Sequence, residues 1–207
     1  MGQPELQFTA NTLQNILYDR MQVEIPLASE SGHADIRLLI DPAMDGKEHY
    51  RIEITSKGIT ISGATAGAVY YGIMTMDQLL LGDACATAQK EIAPVHIDDA
   101  PRFSHRALML DPARHFLPVN DVKFFIDQMA RYKYNILQLH LTDDQGWRVE
   151  IKKHPKLVGK DYYTQEQLAE IIQYAAQRNI EVIPELDIPG HTVAIFCLLY
   201  TSPSPRD

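Results

Sequence analysis

Three short stretches of the sequence collect the side chains that could do chemistry. Asp111, Arg114 and His115 fall in LDPARHF, His140, Asp143 and Asp144 in LHLTDDQGW, and Glu185, Asp187 and His191 in PELDIPGH. Arg114 offers a rigid fork of donors that suits substrate hydroxyls, or it pairs with Asp111 or Asp144. Asp143 set against His191 would fix the imidazole tautomer and tune a neighbouring acid. Glu185 and Asp187 share one strand face; they could act as an acid/base pair, although bracing a strand end is the commoner use of such carboxylates. Asp144 is expected to anchor its own loop. The single tryptophan, Trp147, is expected to pack under that loop, and Tyr132 and Tyr134 to pack near a helix end. His115, His140, Asp143 and His191 are the residue types of a mixed nitrogen and oxygen metal site. No H-x-H or H-E-x-x-H spacing accompanies them, so no metal is expected, and without a Gly-rich phosphate loop no nucleotide cofactor is expected either.

These residues need elements to position them. From Arg106 the sequence reads strand (RALMLD), helix, strand (ILQLHL), helix, strand (IEVIPELD), the rhythm of βαβ units in a parallel sheet. Asn120 is expected to cap the first helix, whose Val122, Phe125, Ile126 and Met129 form one stripe, and Asn135 to end it in a left-handed turn. Thr164 and Gln167 form a capping box before Leu168, Ile171, Ile172 and Ala175, and Asn179 is expected to end that helix. Leu137, Leu139 and Leu141 take one strand face while Gln138, His140 and Thr142 take the other; Glu181, Glu185 and Asp187 are likewise grouped. A sheet covered on both sides would be apolar on both faces. Polar residues gathering toward the carboxyl ends suit a (β/α)8 barrel with a site at its mouth. Such a barrel needs roughly 250 residues. The part from Arg106 onward has room for three of its eight units, so an incomplete barrel is expected.

The first hundred residues read differently. Asn11–Met21 suits a helix, Asp35–Ile40 and Tyr50–Thr55 suit strands, and YRIEITSKGITIS is a hairpin in which Gly58 supplies a positive φ. Val69, Ile73, Met76 and Leu80 then recur on one helical face. The expected class is α/β: a small α+β domain over residues 1–100, ending at the proline-bounded segment IAPVHIDDAP, then the first three βα units of a TIM barrel over residues 101–196.

The chain has 207 residues, 19 basic and 27 acidic, for a formal net charge of -8. That balance argues against nucleic acid or an anionic membrane as partner and favours a neutral substrate. No apolar run is long enough to span a bilayer. Cys85 and Cys197 are too few for a disulfide framework. The amino terminus lacks the basic start and apolar core of a signal peptide, which leaves localisation open. The last eleven residues, CLLYTSPSPRD, match the conceptual translation of a transposase adapter used in sequencing libraries. Residues 197–207 are therefore expected to be foreign to the protein rather than a native tail.

RFSHRALMLDPARHFLP, MARYKYNILQLHLTDDQGWRVEI and IEVIPELDIPGHT, in this order and spacing, closely resemble the start of the catalytic barrel of family 20 glycoside hydrolases, the β-N-acetylhexosaminidases. The preceding segment resembles that family's small amino-terminal domain. The resemblance implies that Arg114 contacts hydroxyls of the terminal sugar and that Asp143 and His191 tune the catalytic acid. It also implies a cofactor-free, substrate-assisted retaining reaction on glycans ending in N-acetylglucosamine or N-acetylgalactosamine. The family's proton-donating glutamate and acetamide-orienting aspartate follow the fourth barrel strand, and no Asp-Glu pair occurs after PGHT here. Two rival classes remain, a metal-dependent barrel hydrolase and a non-catalytic carbohydrate-binding relative. Because general acid catalysis is commonly worth about 10² to 10⁴ in rate, the purified 207-residue chain should show no measurable turnover of a chromogenic β-N-acetylglucosaminide. Turnover above the buffer blank would overturn that expectation.

Overall fold

The computed structural model describes residues 4–28, 34–81 and 92–199. The chain is of mixed α/β class and divides into two compact units between Ser104 and His105. In the first unit a 3-10 turn, Pro4–Leu6, leads into α1 (Gln7–Met21), followed by β1 (Ile36–Ile40), β2 (Tyr50–Thr55), β3 (Gly58–Gly63), α2 (Ala66–Leu81) and β4 (Val95–Asp99). The sheet order is β1-β3-β2-β4, with β1 parallel to β3 and the other pairs antiparallel. Val95–Asp99 therefore belongs to the sheet. Its bounding prolines suggest a linker, but each lies just outside the ladder, where the missing N–H costs nothing.

Ile52 and Ile61 are completely buried, as are Val69 and Ile73 on α2. The expected stripe on α2 is wider than one face, because Tyr70, Tyr71 and Met74 are buried too. The helix is held between the sheet and α1, and the Arg20 Nε–Asp77 Oδ1 ion pair of 2.8 Å ties α1 to α2.

The second unit runs β5 (Ala107–Leu110), α3 (Val119–Arg131), β6 (Ile136–His140), a two-stranded hairpin of β7 (Thr142–Asp143) and β8 (Gly146–Trp147), a 3-10 turn (Pro155–Leu157), α4 (Gln165–Ala176), β9 (Glu181–Glu185) and α5 (Val193–Leu199). β5, β6 and β9 form a parallel sheet in that order. Leu137 and Leu139 are fully buried on the apolar face, and so are Val122 and Ile126 of α3 and Ile171 and Ala175 of α4. A polar clasp joins the two helices: Tyr174 Oη donates to Asp127 at 2.9 Å, and the Arg178 guanidinium lies 3.5 Å from the centre of the Tyr174 ring.

The capping box is present, with Gln167 N–H on Thr164 Oγ1 at 3.1 Å and Thr164 N–H on Gln167 Oε1 at 2.9 Å. Asn179 takes the left-handed conformation at φ 59°. The other two asparagines behave otherwise. Pro118 is the N-cap of α3, without a side-chain cap, and Asn120 lies inside the helix. Lys133, at φ 57°, makes the left-handed turn, and Asn135 Oδ1 instead accepts the Arg106 N–H at 2.9 Å. Ile172 and Tyr132, expected to pack, are 51% and 71% exposed. α5 continues across position 197, where Cys197 is an exposed free thiol. Cys85 and residues 200–207 of the expected foreign tail lie outside the described residues.

Gly58 has φ 133°, and a Cβ there would sit 2.6 Å from the Asp35 carbonyl oxygen. Backbone held in a region that side chains disfavour costs on the order of 1–3 kcal/mol. Gly58→Ala should destabilise the first unit by that amount, read as a lower denaturant midpoint at unchanged slope; an unchanged midpoint would show that the hairpin tolerates a side chain.

Candidate active site

Parallel strands bring their carboxyl ends to one edge of the sheet, and the three motifs meet there. Asp111 directly follows β5, Asp143 lies in the hairpin after β6, Glu185 closes β9 and His191 stands in the loop beyond it. Asp143 is the centre. Its side chain is only 2% exposed, yet both oxygens are fully engaged. Oδ2 receives Arg114 Nη2 at 2.7 Å and His140 Nε2 at 2.8 Å. Oδ1 receives the Asp144 backbone N–H at 2.6 Å and His191 Nδ1 at 3.2 Å. Four donors fill about four lone-pair sites of a carboxylate. Burial by itself would raise the Asp143 pKa, but the His140 bond, the Asp144 N–H and the charges of Arg114 and His191 lower it to about 2. Asp143 is an anion at any working pH.

Two of the three residues selected from the sequence, Arg114 and His191, thus converge on the third, Asp143. Arg114 is shared between Asp143 and Asp111, whose Oδ2 takes Nη1 at 2.6 Å and whose Oδ1 takes the Arg114 backbone N–H at 3.0 Å. Arg114 is about half exposed, as is His191, which adopts φ 54°. The Asp111 carboxyl is opposed by burial, but its bonds to Arg114 prevail and hold its pKa below the usual range. The Asp144 side chain binds a different partner from the one expected: its Oδ1 accepts the Val193 N–H at 3.1 Å and anchors α5 rather than its own loop. Trp147 packs as expected, 7% exposed, with Nε1 on the Val149 carbonyl at 2.8 Å.

Two contributions are not evident from the sequence motifs taken singly, the bridging role of the candidate His140 and the part played by Arg148. His140, 4% exposed, bridges Asp143 and Glu185, with Nδ1 on Glu185 Oε1 at 2.9 Å. Gln138 Nε2 bonds the other Glu185 oxygen. The signal was the polar face of each strand, Gln138, His140 and Thr142 on one and Glu181, Glu185 and Asp187 on the other; the parallel register that sets His140 opposite Glu185 had to be known to join them. Glu185 is therefore a brace: the Gln138 bond lowers its pKa, burial works against this, and His140 lowers it further. Arg148 is the second. Its Nε and Nη2 donate to the carbonyls of Pro112 and Ala113 and its Nη1 to that of Asp161, each at 3.0 Å. This staples the Arg114 loop to the loop after β6.

Among the described residues, ligand-type atoms come within 4.8 Å of one another in two groups, His140–Glu185–Asp187 and Asp143–Asp144–His191. His115 belongs to neither. Both His140 nitrogens already face carboxylates at hydrogen-bond distance, so the first set of atoms satisfies itself. The donor set does not favour the metal-dependent reading.

A model described as the catalytic domain of glycosyl hydrolase family 20 matches residues 103–200, and one of the family's domain 2 matches residues 1–100. The chain belongs to glycosyl hydrolase family 20. Among family 20 relatives, a beta-hexosaminidase of Porphyromonas gingivalis is 38% identical over 192 residues, covering 84% of this chain and 25% of that protein. One from Akkermansia muciniphila is 42% identical over 162 residues, covering 70% of this chain and 32% of its own length. A mutant Streptomyces plicatus beta-hexosaminidase solved with its product GlcNAc superposes with TM-score 0.83 at 37% identity, covering 94% of this chain and 42% of that one. The Vibrio harveyi exo beta-N-acetylglucosaminidase with N-acetylglucosamine gives TM-score 0.81 at 32% identity, covering 96% and 34%. This family 20 chain thus spans a quarter to a third of the length of these two curated relatives.

Asp143→Asn would leave four cationic or donor groups around a neutral amide. Breaking one side of a buried ion pair costs about 3–5 kcal/mol, and a loss of this size is expected by urea unfolding. The folded carboxyl is held near 2, below an unfolded value of about 3.9. Its stabilisation is therefore full above that unfolded value and is lost as the pH falls through 2. The variant should lack this acid-side loss; an unchanged acid profile would contradict the geometry.

Proposed function

We propose that this chain is part of a β-N-acetylhexosaminidase that releases terminal non-reducing N-acetylglucosamine or N-acetylgalactosamine from β-glycosides. Residues 1–100 form its amino-terminal domain, residues 101–196 contribute the first three βα units of its (β/α)8 barrel, and residues 197–207 are adapter-derived. The observation that carries the reading is the convergence of Arg114 and His191 on the buried Asp143 carboxylate at the carboxyl edge of a parallel sheet. The P. gingivalis and S. plicatus relatives named above, both beta-hexosaminidases, support it.

In this reading Arg114 binds the hydroxyls of the terminal sugar. Two of its five N–H groups serve Asp111 and Asp143 and fix the guanidinium plane, and the half-exposed remainder faces substrate. Asp143 accepts from His191 Nδ1, which sets that hydrogen on Nδ1 and turns the other ring nitrogen toward the catalytic acid. The acid and the acetamide-orienting aspartate come from the longer protein. As the acid protonates the glycosidic oxygen and the C–O bond breaks, the substrate's acetamide oxygen bonds to the anomeric carbon; water then opens the oxazolinium ion with net retention. No cofactor enters.

The full-length protein should hydrolyse 4-nitrophenyl N-acetyl-β-glucosaminide, with the first-formed sugar β-configured by NMR. Charge-assisted hydrogen bonds are worth about 1.5–3 kcal/mol, so Arg114→Ala should raise KM or lower kcat/KM by roughly ten- to a hundredfold. No hydrolysis by the unmodified full-length protein, or an α-configured first product, would sink the reading.

A further inference from the structure

The glycosidase reading gives roles to Arg114, Asp143 and His191 but none to the most enclosed ionisable group beside them. We propose that His140 is a positioning residue, a buried imidazolium that ties Asp143 to Glu185 on the neighbouring strand and so sets where Arg114 and His191 are presented. The inference rests on that reading for its enzymatic consequence and on geometry for its charge. Nε2 lies 2.8 Å from Asp143 Oδ2 and Nδ1 lies 2.9 Å from Glu185 Oε1. Ionised carboxylates only accept hydrogen bonds, so both ring nitrogens must donate, and only the doubly protonated ring does that. A neutral ring would turn a lone pair toward one carboxylate at contact distance.

The surroundings supply the charge balance. Around His140 stand Asp111 and Arg114 from the loop after β5, Asp143 from the hairpin after β6, Glu185 and Asp187 at the end of β9, and His191 beyond it. With His140 protonated, the bonded row Glu185, His140, Asp143, Arg114, Asp111 alternates in sign without a break. Burial lowers the His140 pKa, but the bonds to Asp143 and Glu185 and the Asp111 charge raise it above its ordinary value. The cation is therefore present below that raised pKa and lost as the pH climbs through it. Its loss frees one side of Asp143 and slackens the hold on Arg114. This makes His140 act through other groups, without touching substrate itself.

The test uses the full-length protein and 4-nitrophenyl N-acetyl-β-glucosaminide. In the unmodified enzyme KM should rise on the alkaline side as His140 loses its proton. His140→Gln should raise KM by about ten- to a hundredfold, change kcat less, and abolish that alkaline rise. Adding Glu185→Gln should cost nothing further, because the bridge is already gone. A soluble His140→Gln enzyme with unchanged KM and an unchanged alkaline limb would overturn the proposal. Should the variant not fold, ring-nitrogen NMR of the ¹⁵N-histidine-labelled unmodified protein decides: two protonated nitrogens on His140 at neutral pH are expected, and one refutes it. An unmodified enzyme without activity would defeat the glycosidase reading instead, while the NMR result still judges His140.

Discussion

A carboxylate can be buried as an anion only if the protein replaces nearly all the water it gives up. Asp143 meets that condition with four donors drawn from three separate stretches: Arg114 after β5, His140 and the Asp144 N–H around the end of β6, and His191 after β9. The donors are useless individually, since an unpaired buried charge costs several kcal/mol. The three loops must therefore arrive together. That requirement fixes the geometry of the candidate site more tightly than any one residue does.

Simultaneous arrival depends on the strands beneath. In β6 the alternation of side chains commits Leu137 and Leu139 to the buried face and thereby commits Gln138 and His140 to the other. The parallel register then sets His140 against Glu185. Slipping by one residue would turn the imidazole to the apolar face and the leucines to the site. Above the strands Arg148 performs the same service for the loops. Gly146 leaves it room, since a Cβ there would lie 2.4 Å from the guanidinium carbon. A side chain at Gly146 would push the guanidinium aside and release three carbonyls on two loops.

Features whose causes are local in sequence were legible before the structure. The capping box of Thr164 and Gln167 needs only a spacing of three, and Gly58 needs only a tight turn between alternating runs. Asn135 and Asn179 show where this stops. Both look like left-handed stops, but Asn135 is recruited by the Arg106 backbone on β5's approach, and Lys133 takes the left-handed turn in its place. β4 was hidden for a similar reason: VHIDD between prolines becomes a strand because β2 offers an unpaired edge. At the candidate site, residue types and strand ends gathered Arg114, His140, Asp143 and His191 alike, whereas the bridging contacts of His140 and the part played by Arg148 depend on contacts across strands and loops that no single motif contains.

The adjacent aspartates of the DDQ motif carry the same side chain to opposite ends. Asp143 ends β7 and turns inward to the cations, while Asp144 begins the tight turn to β8, stays exposed and receives the first N–H of α5. Asp144 N–H in turn donates to Asp143 Oδ1. The pair is therefore a mechanical link: α5 and the loop that leads to it hang on Asp144, and His191, two residues before α5 begins, reaches back to Asp143. Neighbouring carboxylates thus hold both ends of this short loop, in which His191 keeps a left-handed backbone and presents its imidazole at the carboxyl edge of the sheet. A glutamate in either position would add a methylene to one anchor and not the other. The loop would then be pinned at a different height on its two sides, and the imidazole drawn away from Asp143 Oδ1.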